Sequence, residues 1–368
     1  MKHRSNTDQI ELSTADESES LFCVSSVFHL WPTISSLLLC ALCASVVPSV
    51  SAQSAPAKLL LAFASTRDRW DPPYPKIHFY EHDGVASGKL LGSVDTITGG
   101  TNKSRADMHP SLSRDGRYCA FCSQFGVADG GKVEMWDRYE KKLLTLPNVQ
   151  ETLKIHQMHA SITGDGKFVA YTAWARPGST TRWGVFLYDV DGKKNIDPPK
   201  LNSEKGDQRM PAVSDDGRWL AFASNAAGGQ GATDIYLYDM KAQTIVLVPE
   251  LNSKNLDLQP ALSGDGRLVA FSSDRPGGAG NRDIYLFDRT LKQFVPLPDL
   301  NSEAAEQSPA LTADGRFLAF VSERLGGHGE RDLYLYDLES RKLLPTPGLN
   351  SKQDDFDPGL LASPAPKQ

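Results

Sequence analysis

Residues Pro260–Asp288 read P-A-L-S-G-D-G-R-L-V-A-F-S-S-D-R-P-G-G-A-G-N-R-D-I-Y-L-F-D. Nearly the same string returns at Pro309–Asp337 as P-A-L-T-A-D-G-R-F-L-A-F-V-S-E-R-L-G-G-H-G-E-R-D-L-Y-L-Y-D, and looser copies begin at Pro110, Ala160 and Pro211. The Asp-Gly pairs at Asp115-Gly116, Asp165-Gly166, Asp216-Gly217, Asp265-Gly266 and Asp314-Gly315 are 50, 51, 49 and 49 residues apart. A period this constant marks an array of one supersecondary unit.

The unit's own periodicity says what it folds into. Leu268 to Ser273 and Ile284 to Asp288 are short runs of apolar, β-branched and aromatic residues, too short for helices and bounded by Gly, Pro and Asp, so both are strands. Pro260 to Ser263 reads as a third strand entering a hairpin at Asp265-Gly266, a pair that tolerates positive φ. A fourth, Gln293 to Leu297, contains Pro296; a residue without a ladder donor belongs at an edge, as do Pro147, Pro198, Pro249 and Pro345 in the other copies. The unit is a four-stranded antiparallel meander with inner strand A, central B and C, and outer edge D. Strands B and C are apolar on both faces, and a sheet of that kind must be sandwiched between others.

Blade number follows from partial copies. Strand B carries an Ala-aromatic pair at Ala62-Phe63, Ala120-Phe121, Ala170-Tyr171, Ala221-Phe222, Ala270-Phe271 and Ala319-Phe320, one more copy than the Asp-Gly hairpins. The first copy lacks strand A, whereas Leu349 to Ser363 repeats the lead-in at Leu300 to Thr312 and stops. The expected fold is therefore all-β, a six-bladed β-propeller of four-stranded antiparallel blades. Its C-terminal segment supplies the inner strand of the first blade.

The propeller is expected over residues 58–363, after an export signal at 1–52 and a short lead-in at 53–57, and before a disordered tail at 364–368. Ile34 to Val50 is apolar, and Val50-Ser51-Ala52 before Gln53 has the small residues a signal peptidase requires. An uncleaved anchor is the alternative, disfavoured because the run is short for a span and no basic group follows it. Residues 1–52 hold 2 of the 39 Lys and Arg and 5 of the 45 Asp and Glu, which leaves 37 against 40. Such a balance implies neither nucleic acid nor an anionic membrane as partner. Cys119 and Cys122, three apart on a strand, point to opposite faces; they cannot bridge each other or share a zinc ion, and read as core.

The strings P-A-V-S-D-D-G-R-W-L-A-F-A-S (211–224), P-A-L-S-G-D-G-R-L-V-A-F-S-S-D-R-P-G-G (260–278) and D-I-Y-L-Y-D (234–239) resemble the WD40-like repeats of TolB-like propellers, over about residues 58–363. The resemblance implies a six-bladed, periplasmic or secreted bacterial propeller, monomeric, that binds an envelope protein or peptide. The family's separate N-terminal domain has no counterpart between Ser51 and the first repeat.

Strand direction places the start of A and the B–C loop on one rim, and the Asp-Gly hairpins and C–D loops on the other. On the first rim, Trp70, Tyr74, Trp174, Arg176 and Trp183 lie in the long loops of blades one and three, where large aromatics serve as binding anchors or as plugs over the blade tops. Three residues before each strand-A Pro or Ala stand Asp107, Gln157, Gln208, Asp257, Glu306 and Asp355. They either cap the lead-in turn or form an acidic funnel at the channel mouth. His109, His156 and His159, with Asp107, suit a divalent metal; the alternative is hydrogen bonding across a blade seam. The glycine loops Gly228–Gly231, Gly277–Gly280 and Gly326–Gly329 are not phosphate cradles, because strands follow them, and Asp234, Asp283 and Asp332 are expected to satisfy their amides. Catalytic signatures such as G-x-S-x-G, H-E-x-x-H and Walker loops are missing. Two functions fit: a non-catalytic scaffold binding a protein or peptide on the aromatic rim, needing no cofactor, or a metal-dependent polysaccharide lyase or hydrolase at the channel mouth.

Overall fold

The computed structural model describes residues 58–68, 74–94, 105–125, 131–144, 146, 156–174, 183–202 and 206–363. They form six four-stranded antiparallel sheets arranged as propeller blades. Blade five shows the repeat cleanly: strand A is Asp257–Leu262, B is Leu268–Ser273, C is Asp283–Asp288 and D is Gln293–Phe294. The inner strand of blade one is Asp355–Ser363, antiparallel to Lys58–Ser65 with Lys58 opposite Ser363 and Ser65 opposite Asp355. The two ends of the described chain therefore share one sheet.

The core lies between blades rather than inside them. In strand B of blade five, Val269 and Phe271 pack with Ala221, Ala223 and Leu237 of blade four, while Ala270 packs with Leu318, Phe320 and Tyr336 of blade six. Alternate side chains point to opposite faces, so a run of apolar residues serves two seams at once. Cys119 and Cys122 follow the same rule: both are buried free thiols, in different clusters on opposite faces of their sheet. Burial pushes both thiols up to about 12, so they are inert packing groups.

Polar staples recur at fixed places. Tyr80, Tyr238 and Tyr336 donate their hydroxyls to the carbonyls of Pro347, Pro199 and Pro298 of the preceding blade, at 2.9, 2.9 and 2.8 Å. The Asn of each Leu-Asn-Ser lead-in pairs its amide with one strand-C residue, as Asn301 does with the N–H and C=O of Ile284, both at 2.9 Å. In the hairpins, Asp265 accepts from Ser263 Oγ and the Arg267 N–H while Gly266 alone takes positive φ. The Asp is thus a side-chain cap rather than a second left-handed residue.

Two element boundaries differ from the sequence reading. Strand A begins at Asp257, three residues before Pro260, and a bulge between Leu258 and Ala261 absorbs the proline. The same irregularity occurs in strand A of the other blades, at Met108/Ser111, Met158/Ser161, Arg209/Ala212 and Gln307/Ala310. Strand D ends early: it stops at Phe294 in blade five and Val246 in blade four, before Pro296 and Pro249. The prolines end the edge instead of lying in it, because the ladder donor they lack cannot be replaced there.

Candidate functional site: one rim and the axial cavity

The six predicted ring residues, Asp107, Gln157, Gln208, Asp257, Glu306 and Asp355, are all buried; five begin their inner strands and Asp107 is the third residue of its own. In blade five, Arg275 follows strand B by two residues and donates Nη2 to Asp257 Oδ1 at 2.7 Å and to the Leu251 carbonyl at 2.8 Å. Its guanidinium lies over Phe271, Tyr285 and Phe294. The other oxygen, Asp257 Oδ2, accepts from Ser253 N at 2.7 Å and Ser253 Oγ at 3.0 Å. Blade six repeats this with Arg324, Glu306 and Ser302, and blade one with Arg67, Asp355 and Ser351. These carboxylates cap the lead-in turn and neutralise an arginine; they do not form an open funnel.

The amides obey the same logic. In blade four the position of Arg275 is Ala226, and in blade three it is Ala175; there the acid is replaced by Gln208 and Gln157. Without a cation, a buried carboxylate would be uncompensated, and a neutral amide fits. Gln157 Oε1 accepts from the Val133 N–H at 2.8 Å, whereas both polar atoms of Gln208 are buried with no partner. Blade two breaks the rule: Phe125 stands at the arginine position, yet Asp107 is retained. Arg105 donates Nε to Asp107 Oδ1 at 2.7 Å, and Lys76 Nζ lies 3.9 Å from Oδ2. Burial outweighs these cations and raises the Asp107 carboxyl to about 6.

The three histidines separate. His109 and His159 stand together with ring centroids 4.3 Å apart, and His109 Nε2 lies 3.5 Å from Asp357 Oδ2. His156 packs instead against Trp174 and Trp183, at 6.3 and 6.5 Å. Asp107 is held by Arg105, so the four residues read from the sequence as a metal group are not gathered at one point. Among the described residues no three His, Cys, Asp or Glu side chains are placed to hold a metal ion.

Trp174 ends strand B of blade three and Trp183 begins strand C, directly opposite it in register. Their rings are 5.4 Å apart and inclined at 49°. Arg209, from strand A of blade four, lies over Trp183 at 4.9 Å and is fixed by Asp207, which bonds Arg209 Nη2 at 2.8 Å and accepts from the Trp183 N–H at 3.0 Å. The result is an aromatic and cationic patch over the seam of blades three and four, in which Trp174 remains 39% exposed. Tyr74 is half-buried, and Leu325, at the top of the blade-six loop, is fully exposed on the same rim. Trp70 and Arg176 lie outside the described residues. Asp234, Asp283 and Asp332 accept from Gly231, from Ala279 and Gly280, and from His328 and Gly329, so the glycine loops are closed by their own carboxylates.

The axial cavity, of about 130 Å³, is lined by a different ring, two residues further along each strand A: His109, His159, Met210, Gln259, Ser308 and Asp357, each with the Pro or Ala that follows. All six have left-handed φ, from 49° to 55°. The sequence showed the Xaa-Pro period but not the bulge that turns Xaa toward the axis.

No family model and no curated protein matches the chain. Among solved structures, TolB from Acinetobacter baumannii is similar with a TM-score of 0.58 at 16% identity, covering 83% of this chain and 66% of that one. The chain thus spans just under two thirds of that TolB. Hydrazine synthase of Kuenenia stuttgartiensis is similar at TM-score 0.53 and 12% identity, over 84% of this chain and 47% of that one. A chain of a nidogen/laminin complex is similar at 0.52 and 10%, over 82% and 97%. At such identities the likeness establishes architecture alone: the described residues form a TolB-like six-bladed β-propeller.

Proposed function

We propose that the chain is an exported, non-catalytic propeller scaffold that docks an envelope protein or peptide on the rim formed by strand-A starts and B–C loops. The observation that carries this reading is the exposed Trp174 beside Trp183, held in place by Asp207, Arg209 and His156. Rigid aromatics give large contact area for little lost entropy, and they concentrate at the energetic centres of interfaces. The apolar run and the small residues before Gln53 support export. The likeness to TolB adds a fold that suits a rim-binding module.

The test is a comparison of partner capture by the propeller with that by Trp174→Ala and Trp183→Ala. Loss of capture at unchanged melting temperature supports the reading. Unaltered capture by both variants would overturn it.

A further inference from the structure

The six residues that line the axial cavity share a chemistry. Asp357, His109, His159, Met210, Gln259 and Ser308 each carry a lone pair, none is Lys or Arg, and Asp357 is the sole carboxylate. All six take a left-handed backbone that non-glycine residues seldom adopt. The bulge that recurs in strand A turns these polar or polarisable side chains toward the axial cavity.

Contacts within the ring leave Asp357 under-satisfied. Gln259 Nε2 donates to Ser308 Oγ at 2.9 Å, but Ser308 Oγ reaches Asp357 Oδ1 only at 3.4 Å, and His109 Nε2 stays 3.5 Å from Oδ2. Both distances are long for bonds to a charged acceptor, normally about 2.5–2.9 Å. His109 Nδ1 and His159 Nδ1 are buried without partners. Burial pushes His159 well below the usual imidazole range, which favours its neutral ring. Arg209, whose charge is felt at His159, is paired with Asp207 at 2.8 Å.

From this arrangement we propose that the axial cavity binds a primary ammonium group, carried by a small amine or a lysine side chain. Asp357 is the counter-ion, His159 and Ser308 are neutral acceptors, and Gln259 positions Ser308. A single positive charge matches the single carboxylate. A metal ion would need its donors to converge at about 2.0–2.6 Å, and no three His, Cys, Asp or Glu of the described residues do so. The volume is also far larger than a bare ion requires, being close to the ~150 Å³ that admits benzene. An alkyl ammonium fills it, with its stem against Met210 and the proline rings. This site needs neither Trp174 nor Trp183, so it stands or falls apart from the rim.

The experiment is calorimetric titration of the propeller with n-butylamine, with a lysine blocked at both its α-amino and carboxyl groups, and with n-butanol as the uncharged control. The proposal expects n-butylamine to bind and n-butanol not to; binding of the blocked lysine as well assigns a lysine side chain, and its failure assigns a small amine. Asp357→Asn, whose new side chain tolerates left-handed φ, should weaken binding about tenfold or more. Ser308→Ala should weaken it less. Equal binding of amine and alcohol, undiminished binding by Asp357→Asn, or displacement of the amine by stoichiometric zinc ions would overturn it.

Discussion

Arg275 Nη2 sits 2.7 Å from Asp257 Oδ1 while that carboxylate is wholly shut off from solvent. The pair joins the end of strand B to the first residue of strand A in one blade, and the same link recurs as Arg324–Glu306 and Arg67–Asp355. Removing one partner of a buried pair strands the other charge, a loss of about 3–5 kcal/mol. Arg275→Ala should therefore destabilise by that order in urea unfolding. Arg275→Ala with Asp257→Gln, which copies blade four, should recover most of the loss; a single-substitution cost below about 1 kcal/mol would contradict the account.

Asp107 makes a pH-dependent contribution of unusual sign. Its carboxyl is raised from the unfolded value to about 6, so between pH 4 and 6 the folded state holds more protons than the unfolded one. Stability supplied by this group is present at low pH and is lost as pH rises through that window, by on the order of 2–3 kcal/mol. Asp107→Asn should remove this descending limb from a stability-versus-pH curve. A limb that persists in the variant rules Asp107 out as its source.

Gln157 and Gln208 occupy equivalent positions with opposite hydrogen-bond accounts. Gln157 serves the Val133 N–H, and its replacement by Leu leaves that donor unmet, costing about 1–3 kcal/mol. Gln208 has no partner at either polar atom, so Gln208→Leu should be neutral or raise the melting temperature. Thermal unfolding of the two variants side by side is the check.

The strand Asp355–Ser363 covers Leu59–Ala64 of blade one and buries its own Phe356, Leu360 and Leu361. Truncation before Asp355 exposes that face and leaves a blade without its inner strand. The shortened chain should lose cooperative unfolding and become aggregation-prone. A sharp, reversible transition in the truncated chain would show that blade one does not need this strand.

The architecture was legible in the chain because strands B and C repeat the same two-faced apolar pattern at a near-constant period. The Ala-aromatic pairs and the incomplete copy at Leu349–Ser363 then set the number of blades. Side-chain destinations were less legible. Whether Asp257 or Gln259 faces the axis depends on a bulge at Pro260, and a one-residue irregularity in a strand exchanges its two faces. In blade three His156 precedes strand A and packs against Trp174, whereas His159 lies within the Met158/Ser161 bulge and meets His109. The exchange of acid and arginine for amide and alanine stands in the repeats of blades three and four, as Gln157 with Ala175 and Gln208 with Ala226, but blade two, with Asp107 and Phe125, hides the rule.

The docking reading is tested most directly by site-specific photo-crosslinking in envelope extract. A photoreactive phenylalanine derivative is placed at Trp174, and in a second protein at Lys167 on the Asp-Gly rim. The account predicts a discrete adduct from position 174 and none from position 167. Adducts from position 167 alone, or equal adducts from both, would contradict it.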